Sequence, residues 1–340
     1  VRSRGLGDVY KRQNFVFGVV SATSCHCISD YYSNCNKLIL NMTTDEQQSF
    51  LRWLKGIPYE IAFWKSYYSH PKSLEALYSW SDYGKKCALD NFDIQKFLSQ
   101  SGSRPVMVDV GCALSYVLGT EFDNPATELH LIDPLARFYN EILDSTRNDR
   151  QRLREGMIEL LSTLYEPGSV DVVHVRNALD HCANPMLGIY ESLQVLRKGG
   201  VLYLHHHINE AEREAYNGFH QYNIECRDGK LVIWNRKDSI DVNQELEGIA
   251  NVSCSVYADQ YVVAVITKIN DVPSESYDPR DASKRATEMM NLTVAALSSP
   301  GFVFKFHTQR LLAGVAHPVM RRIPRKLVER LKSLVRKIKK

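Results

Sequence analysis

Pro105–Asp133 reads PVMVDVGCALSYVLGTEFDNPATELHLID, and its pattern decides the fold. Val106–Val110 is a short apolar run containing β-branched residues, and Gly111 stops it. The stretch from Ala113 to Leu118 has the composition to start a helix. A second apolar run, Leu129–Ile132, closes on Asp133. Strand, tight turn, helix and strand predict a βαβ unit, the opening of a doubly wound parallel sheet. Ligands in such sheets sit at the carboxyl ends of the strands, where Gly111 and Asp133 would both lie. An acid at the end of the second strand suits the hydroxyl pair of a ribose.

Two cofactor readings follow from the turn. A dinucleotide fingerprint needs glycine at three positions that here hold Gly111, Ala113 and Tyr116, so a nicotinamide-dependent oxidoreductase is the weaker reading. Asp109-Val110-Gly111-Cys112-Ala113 instead resembles motif I of class I S-adenosylmethionine-dependent methyltransferases, with Ala113 and Ser115 at the second and third glycine positions.

Later motifs strengthen that resemblance. Val170–Val175 is a strand with the family's fourth-strand character, and a polar loop through Arg176, Asn177 and His181 follows it. A helix over Met186–Arg197 leads to Lys198-Gly199-Gly200 and a fifth strand, Val201–His205. Gly156–Leu161 is expected to be the third strand. Leu231–Trp234, Val252–Tyr257 and Tyr261–Thr267 supply the rest, the last two as the family's antiparallel hairpin. Arg176–His181, Asn209–Glu212, Gly218–Gln221 and Ile233–Asn235 also look like methyltransferase-domain proteins of bacterial polysaccharide gene clusters.

The resemblance implies an α/β fold with a doubly wound, seven-stranded, Rossmann-like sheet over residues 104–269. It implies S-adenosylmethionine as cofactor, lined by Asp109, Gly111, Cys112, Ala113 and Ser115, with Asp133 on the ribose. Pro134, Leu135 and Glu159 would lie toward the adenine, and Asn177 and Leu179 toward the sulfonium. The acceptor it implies is the oxygen or nitrogen of a small molecule, glycan or glycolipid. A catalytically inactive cofactor-binding partner is the alternative from another class.

Around this unit the chain divides into a leader (1–41), a helical cap (42–103) and a helical extension (270–340). Ser3–Gln13 resembles a translated sequencing adapter, and 1–41 is expected to be a non-native, disordered leader. The cap carries Phe50, Trp53, Phe63, Trp64 and Tyr67 at helical spacing, with breaks expected at Pro58, Pro71 and Gly84. Tyr83 is its candidate for an aromatic lid over the substrate. Residues 301–340 hold twelve Lys/Arg and one acid, a net +11 in a chain of net +3, so the body before them carries −8. Within that tail, the spacing of 324–340 predicts a basic amphipathic helix, either docked on the acidic body or lying on an anionic membrane surface, with no nucleic acid expected. No apolar run is long enough to span a membrane, and the eight cysteines lack paired spacing. Both point to a cytoplasmic protein, and the membrane reading of the tail would make it peripheral at the inner membrane face.

A hydroxyl acceptor needs a group to take its proton. His181, just past strand four, is the first candidate for that base, with His205 and His207 behind it at the end of strand five. Glu210 and His220 are candidates for substrate contact. Adjacent histidines on one strand cannot all face one ion, so no metal is expected.

Overall fold

A computed structural model describes residues 43–69, 71–79, 81–114, 117–273, 277 and 281–320. The leader 1–41, Ser115 and the basic segment 324–340 lie outside the described residues. The main sheet contains β1 (Val106–Val110), β2 (Glu128–Asp133), β3 (Arg154–Glu155), β4 (Val170–Arg176) and β5 (Leu196–His207). A small second sheet follows, of β6 (Asn223–Arg227), β7 (Lys230–Trp234) and β8 (Ser239–Asp241). The chain then returns to the main sheet as β9 (Ala250–Tyr257) and β10 (Tyr261–Lys268).

The seven-stranded order is β3-β2-β1-β4-β5-β10-β9, with β10 antiparallel to both its neighbours. From β1 the chain winds outward to β2 and β3, then crosses back to add β4 on the other side. The reversal leaves a crevice between the carboxyl ends of β1 and β4, where doubly wound sheets bind ligands.

The strand runs form the core because both sheet faces are covered. Val108, Val110, Val173, Val175, Leu202 and Leu204 pack on one face, while Met107, Val172, Val201 and Tyr203 pack on the other. Such two-sided burial produces continuous apolar runs rather than alternation.

Nine helices among the described residues surround the sheets: α1 (Thr44–Tyr68), α2 (Pro71–Ser79), α3 (Ile94–Gln100), α4 (Ala136–Ser145), α5 (Pro185–Val195), α6 (Glu210–Arg213), α7 (Val242–Glu245), α8 (Asp281–Ser298) and α9 (Pro300–Met320). A capping box opens α1: Glu46 donates its N–H to Thr43 Oγ1 at 3.2 Å, and Thr43 donates its own to Glu46 Oε2 at 2.7 Å. Pro58 does not break this helix as expected. Interior proline costs about 3 kcal/mol, but the burial of Phe50, Trp53, Leu54, Ile57, Trp64 and Tyr68 outweighs the loss.

Three other expectations are corrected. Among the described residues from 111 to 127 there is no helix. Ala113 takes a left-handed φ of 43°, incompatible with entering a right-handed helix there. The third strand is Arg154–Glu155, and Ile158–Thr163 forms a 3₁₀ helix instead. Ile158, Glu159, Leu160 and Leu161 are all buried, so this run has no strand-like alternation to satisfy. Leu231–Trp234 is a strand, but of the small sheet.

Candidate active site

Two loops close the crevice between β1 and β4. Gly111 ends β1 at φ 69°, and a Cβ added to it would stand 2.4 Å from Ala178 Cβ, across the crevice. Its N–H donates to the Ile132 carbonyl at 2.8 Å. The loop is then pinned to β2. Ala113 donates its N–H to Asp133 Oδ2 at 3.0 Å, and Leu135 donates to Oδ1 at 2.7 Å. Gly111→Ala is expected to cost about 2–4 kcal/mol, from left-handed strain and the collision with Ala178. Denaturant unfolding would measure it, and a change under 1 kcal/mol would show that the loop yields.

Asp133 is buried, and burial raises its carboxyl to about 7 despite the two N–H donors. Further donors would favour its charged form, which is what a ribose diol offers. Pro134 and Leu135 continue from it, Leu135 buried. Cys112 is buried, and desolvation pushes its thiol well up, so it is an inert packing residue.

Across the crevice, Asn177 has φ 49° and its side-chain oxygen accepts the His207 N–H at 3.0 Å. A 3₁₀ turn, Leu179–His181, follows with Leu179 wholly buried. The Asp180 carbonyl accepts N–H groups from Gln221 at 3.0 Å and Tyr222 at 3.2 Å, which draws His220 in from 40 residues away. The N-terminal helix holds that loop from behind. Arg52 donates to the Tyr216 and His220 carbonyls, and Trp53 stacks on Phe219 with ring centroids 5.6 Å apart.

The result is a compact triangle. His220 Nδ1 lies 2.8 Å from Asp180 Oδ2, His181 Nε2 lies 3.2 Å from His220 Nδ1, and His181 Nε2 lies 3.5 Å from Asp180 Oδ2. Asp180 is buried, whereas both imidazoles are about one-fifth exposed, at 20% and 23%. Burial would raise the Asp180 carboxyl, but the two histidines hold it below the usual range. Burial depresses His181 to about 4. For His220 burial also acts downward, but the Asp180 hydrogen bond overcomes it and lifts the ring to about 9. Glu210 and Glu60, both raised by burial, add carboxylates within electrostatic reach of Asp180 and His220.

The structure thus brings together His181, His220 and Glu210 of the sequence candidates, and separately Gly111, Ala113, Asp133 and Leu135. Five other candidates are held by contacts of their own. Asp109 is paired inside the sheet with His174, Oδ1 to Nδ1 at 2.6 Å. Glu159 accepts the Ala183 N–H at 2.9 Å. Tyr83 accepts the Gln151 N–H at 3.0 Å, with the Arg150 guanidinium 4.7 Å over its ring. His205 and His207 share the sheet face of Tyr261, with ring centroids 4.7 and 4.5 Å from it, and His205 reaches Asp90 at 3.4 Å. Between them His206 faces the opposite way. It is buried and interacts electrostatically with Asp180 and His181, and neither ring nitrogen has a hydrogen-bond partner among the described residues. Alternation along β5 separates it from its neighbours, but the sequence does not say which face holds the site.

Residues 108–204 match the family described as methyltransferase domain. No curated protein matches the chain in sequence. Among solved structures, it is similar to the CurJ carbon methyltransferase, with 17% identity over 49% of this chain and 50% of that one, at TM-score 0.34. A SAM dependent methyltransferase from Aquifex aeolicus shows 13% identity over 52% of this chain and 90% of that one, at TM-score 0.33. An S-adenosylmethionine-dependent methyltransferase from Clostridium acetobutylicum shows 11% over 52% and 89%, at TM-score 0.34. The family match takes in β1 from Val108, β2 to β4, β5 as far as Leu204, the Gly111 loop and the Asp180–His181 turn, so over these residues the chain is similar to a methyltransferase domain, and S-adenosylmethionine is the cofactor such a domain takes.

Proposed function

We propose that the protein methylates an oxygen of a polar acceptor, a small molecule, glycan or glycolipid. The observation that carries this reading is the Asp180–His181–His220 triangle at the mouth of the crevice, across from the Gly111 loop. When bound, S-adenosylmethionine supplies an activated methyl group. Gly111 and Ala113 would border its methionine part and Asp133 its ribose. What remains for the chain is to align the nucleophile and remove its proton. A hydroxyl is a poor nucleophile until that proton is removed, and the triangle would supply the group that takes it. A neutral amine would need no such group. Phe219, stacked on Trp53, gives the mouth an apolar wall beside the His181 ring, 5.4 Å between centroids.

The test is transfer of labelled methyl from S-adenosylmethionine to sugars, hydroxylated small molecules and amines, with product analysis by mass spectrometry. O-methyl products support the reading; methylation of amines or carbon alone overturns it. Asp133→Ala is expected to weaken S-adenosylmethionine binding by about 1–3 kcal/mol, through loss of hydrogen bonds to a charged acceptor. Titration calorimetry measures this, and unchanged affinity would remove Asp133 from the ribose.

A membrane surface is the second partner in this reading. Among the described residues no helix is long and apolar enough to cross a membrane. Yet α9 exposes Phe304, Leu311, Leu312 and Val315 on one face, while Phe306 is buried. The twenty residues after it hold ten Lys/Arg and one Glu, a composition suited to anionic lipid. Salt-sensitive co-sedimentation with anionic vesicles, and none with neutral ones, is the expected result. Equal recovery with both would remove the electrostatic argument.

A further inference from the structure

We infer that Asp180, His181 and His220 form a binding site for a divalent transition-metal ion, with the acceptor oxygen as a further ligand. The inference deepens the proposed function but its metal-binding half stands without it. The three donor atoms lie 2.8, 3.2 and 3.5 Å apart. Three ligands at about 2.1 Å from one ion, with angles near those of an octahedron or tetrahedron, stand about 3.0–3.4 Å from one another. The triangle therefore has the size of one face of a coordination shell. Its donor set, two imidazoles and a carboxylate, is that of facial sites for borderline divalent ions such as zinc or iron. All three groups are contributed by rigidly held backbone: the 3₁₀ turn carries two, and the Asp180 carbonyl anchors the strand end next to the third.

A second, independent observation points to a ligand. Among the described residues Asp180 Oδ1 is buried with no hydrogen-bond partner, as are both ring nitrogens of His206 on the adjoining strand. Buried polar atoms left unpaired cost about 1–3 kcal/mol each, and such a concentration calls for a bound group nearby. His181 and His220 are each about one-fifth exposed, which leaves positions on an ion there open to a further ligand. In the sequence the metal question falls on the run of histidines at 205–207, with Glu210 and His220 beside it, and no metal is expected there. The ligands instead come from two loops 40 residues apart.

With the ion seated, the acceptor hydroxyl binds as a ligand and ionises more readily, as metal-bound oxygens do. Its O–H bond breaks with the proton passing to water. The resulting alkoxide then forms the O–CH₃ bond as the methyl–sulfonium bond breaks and its electron pair stays on sulfur. His181 would act in this state as a ligand.

The experiment titrates the full chain, freed of metal by chelation, with Co²⁺, Zn²⁺ and Mg²⁺. Calorimetry gives affinity and stoichiometry, and the visible absorption of Co²⁺ reports nitrogen ligation. One Co²⁺ or Zn²⁺ per chain with Kd in the micromolar range or below is expected, and Mg²⁺ at least about 100-fold weaker. His220→Ala and Asp180→Asn should each weaken Zn²⁺ binding by about 100-fold or more. His130→Gln should leave it unchanged and controls for surface capture, since His130 sits 3.3 Å from Glu128 on β2. Circular dichroism confirms that each variant is folded, and His181→Gln stands in for any that is not. No stoichiometric binding, or equal binding by wild type and the triangle variants, overturns the site. Metal binding without methyl transfer would overturn the proposed function alone; methyl transfer without metal binding would overturn the site alone.

Discussion

His181→Ala is expected to lower turnover by about 10²–10⁴-fold, the range for losing a group that manages the reacting proton. S-adenosylmethionine affinity should stay within a factor of about three, since the His181 ring contacts Phe219 and His220 rather than the Gly111 loop or Asp133. Asp180→Asn tests the same unit with shape retained. It keeps an oxygen near His220 Nδ1 but removes the charge that sustains the His220 proton. The three residues act as one, so adding His220→Ala to His181→Ala should cost little more, whereas independent roles would multiply. Single-turnover rates together with calorimetric affinities distinguish these outcomes. A His181→Ala variant with a full rate and wild-type affinity would move the reacting proton away from the triangle, and loss of affinity in step with rate would make His181 a cofactor contact.

The sheet was legible because its strands are buried on both faces. Val106–Val110 holds three valines in five residues and Val170–Val175 four in six, and valine-rich runs this short have few other uses. Asp133 could be placed at a strand end for the same reason. The helix expected after Gly111 was not legible as absent, because Ala113 carries no sign of its left-handed backbone. Pro58 misled in the opposite direction: a local cost was visible, and the tertiary burial that offsets it was not. At the site, His181 followed from its place after β4. Its partnership with His220 depends on two hydrogen bonds to the Asp180 carbonyl, a contact between loops that leaves no periodicity. Glu60 entered through Trp64, which donates its indole N–H to the carboxylate at 2.8 Å. The spacing of four residues on α1 permits that pair but does not aim it at Asp180.

Arg285→Ala is expected to destabilise the protein by about 3–5 kcal/mol, the usual cost of removing one partner from a buried ion pair. Glu191 is wholly buried on α5, and its Oε1 accepts from Arg285 on α8 at 2.6 Å. The same oxygen accepts from the Tyr277 hydroxyl, and Oε2 accepts the Ser162 N–H at 2.7 Å. Without Arg285 this carboxylate keeps two donors but loses its countercharge, in a place where burial already raises its pKa. The sequence offered no hint of the network, because Glu191 and Arg285 are ordinary charged residues on helical stretches 94 positions apart. Its effect is to clamp α8 onto α5 and the 3₁₀ helix at Ile158–Thr163, and α8 and α9 in turn pack on α1, the helix that backs the His220 loop. Loss of the clamp should therefore reduce turnover as well as stability. The double variant Glu191→Gln with Arg285→Met tests the cause. If an unpaired buried charge is the damage, removing that charge should recover at least about 2 kcal/mol of the loss, measured by denaturant unfolding. A double variant no more stable than Arg285→Ala would assign the loss to packing of the arginine stem over the Tyr277 ring, 5.1 Å from its centroid, instead.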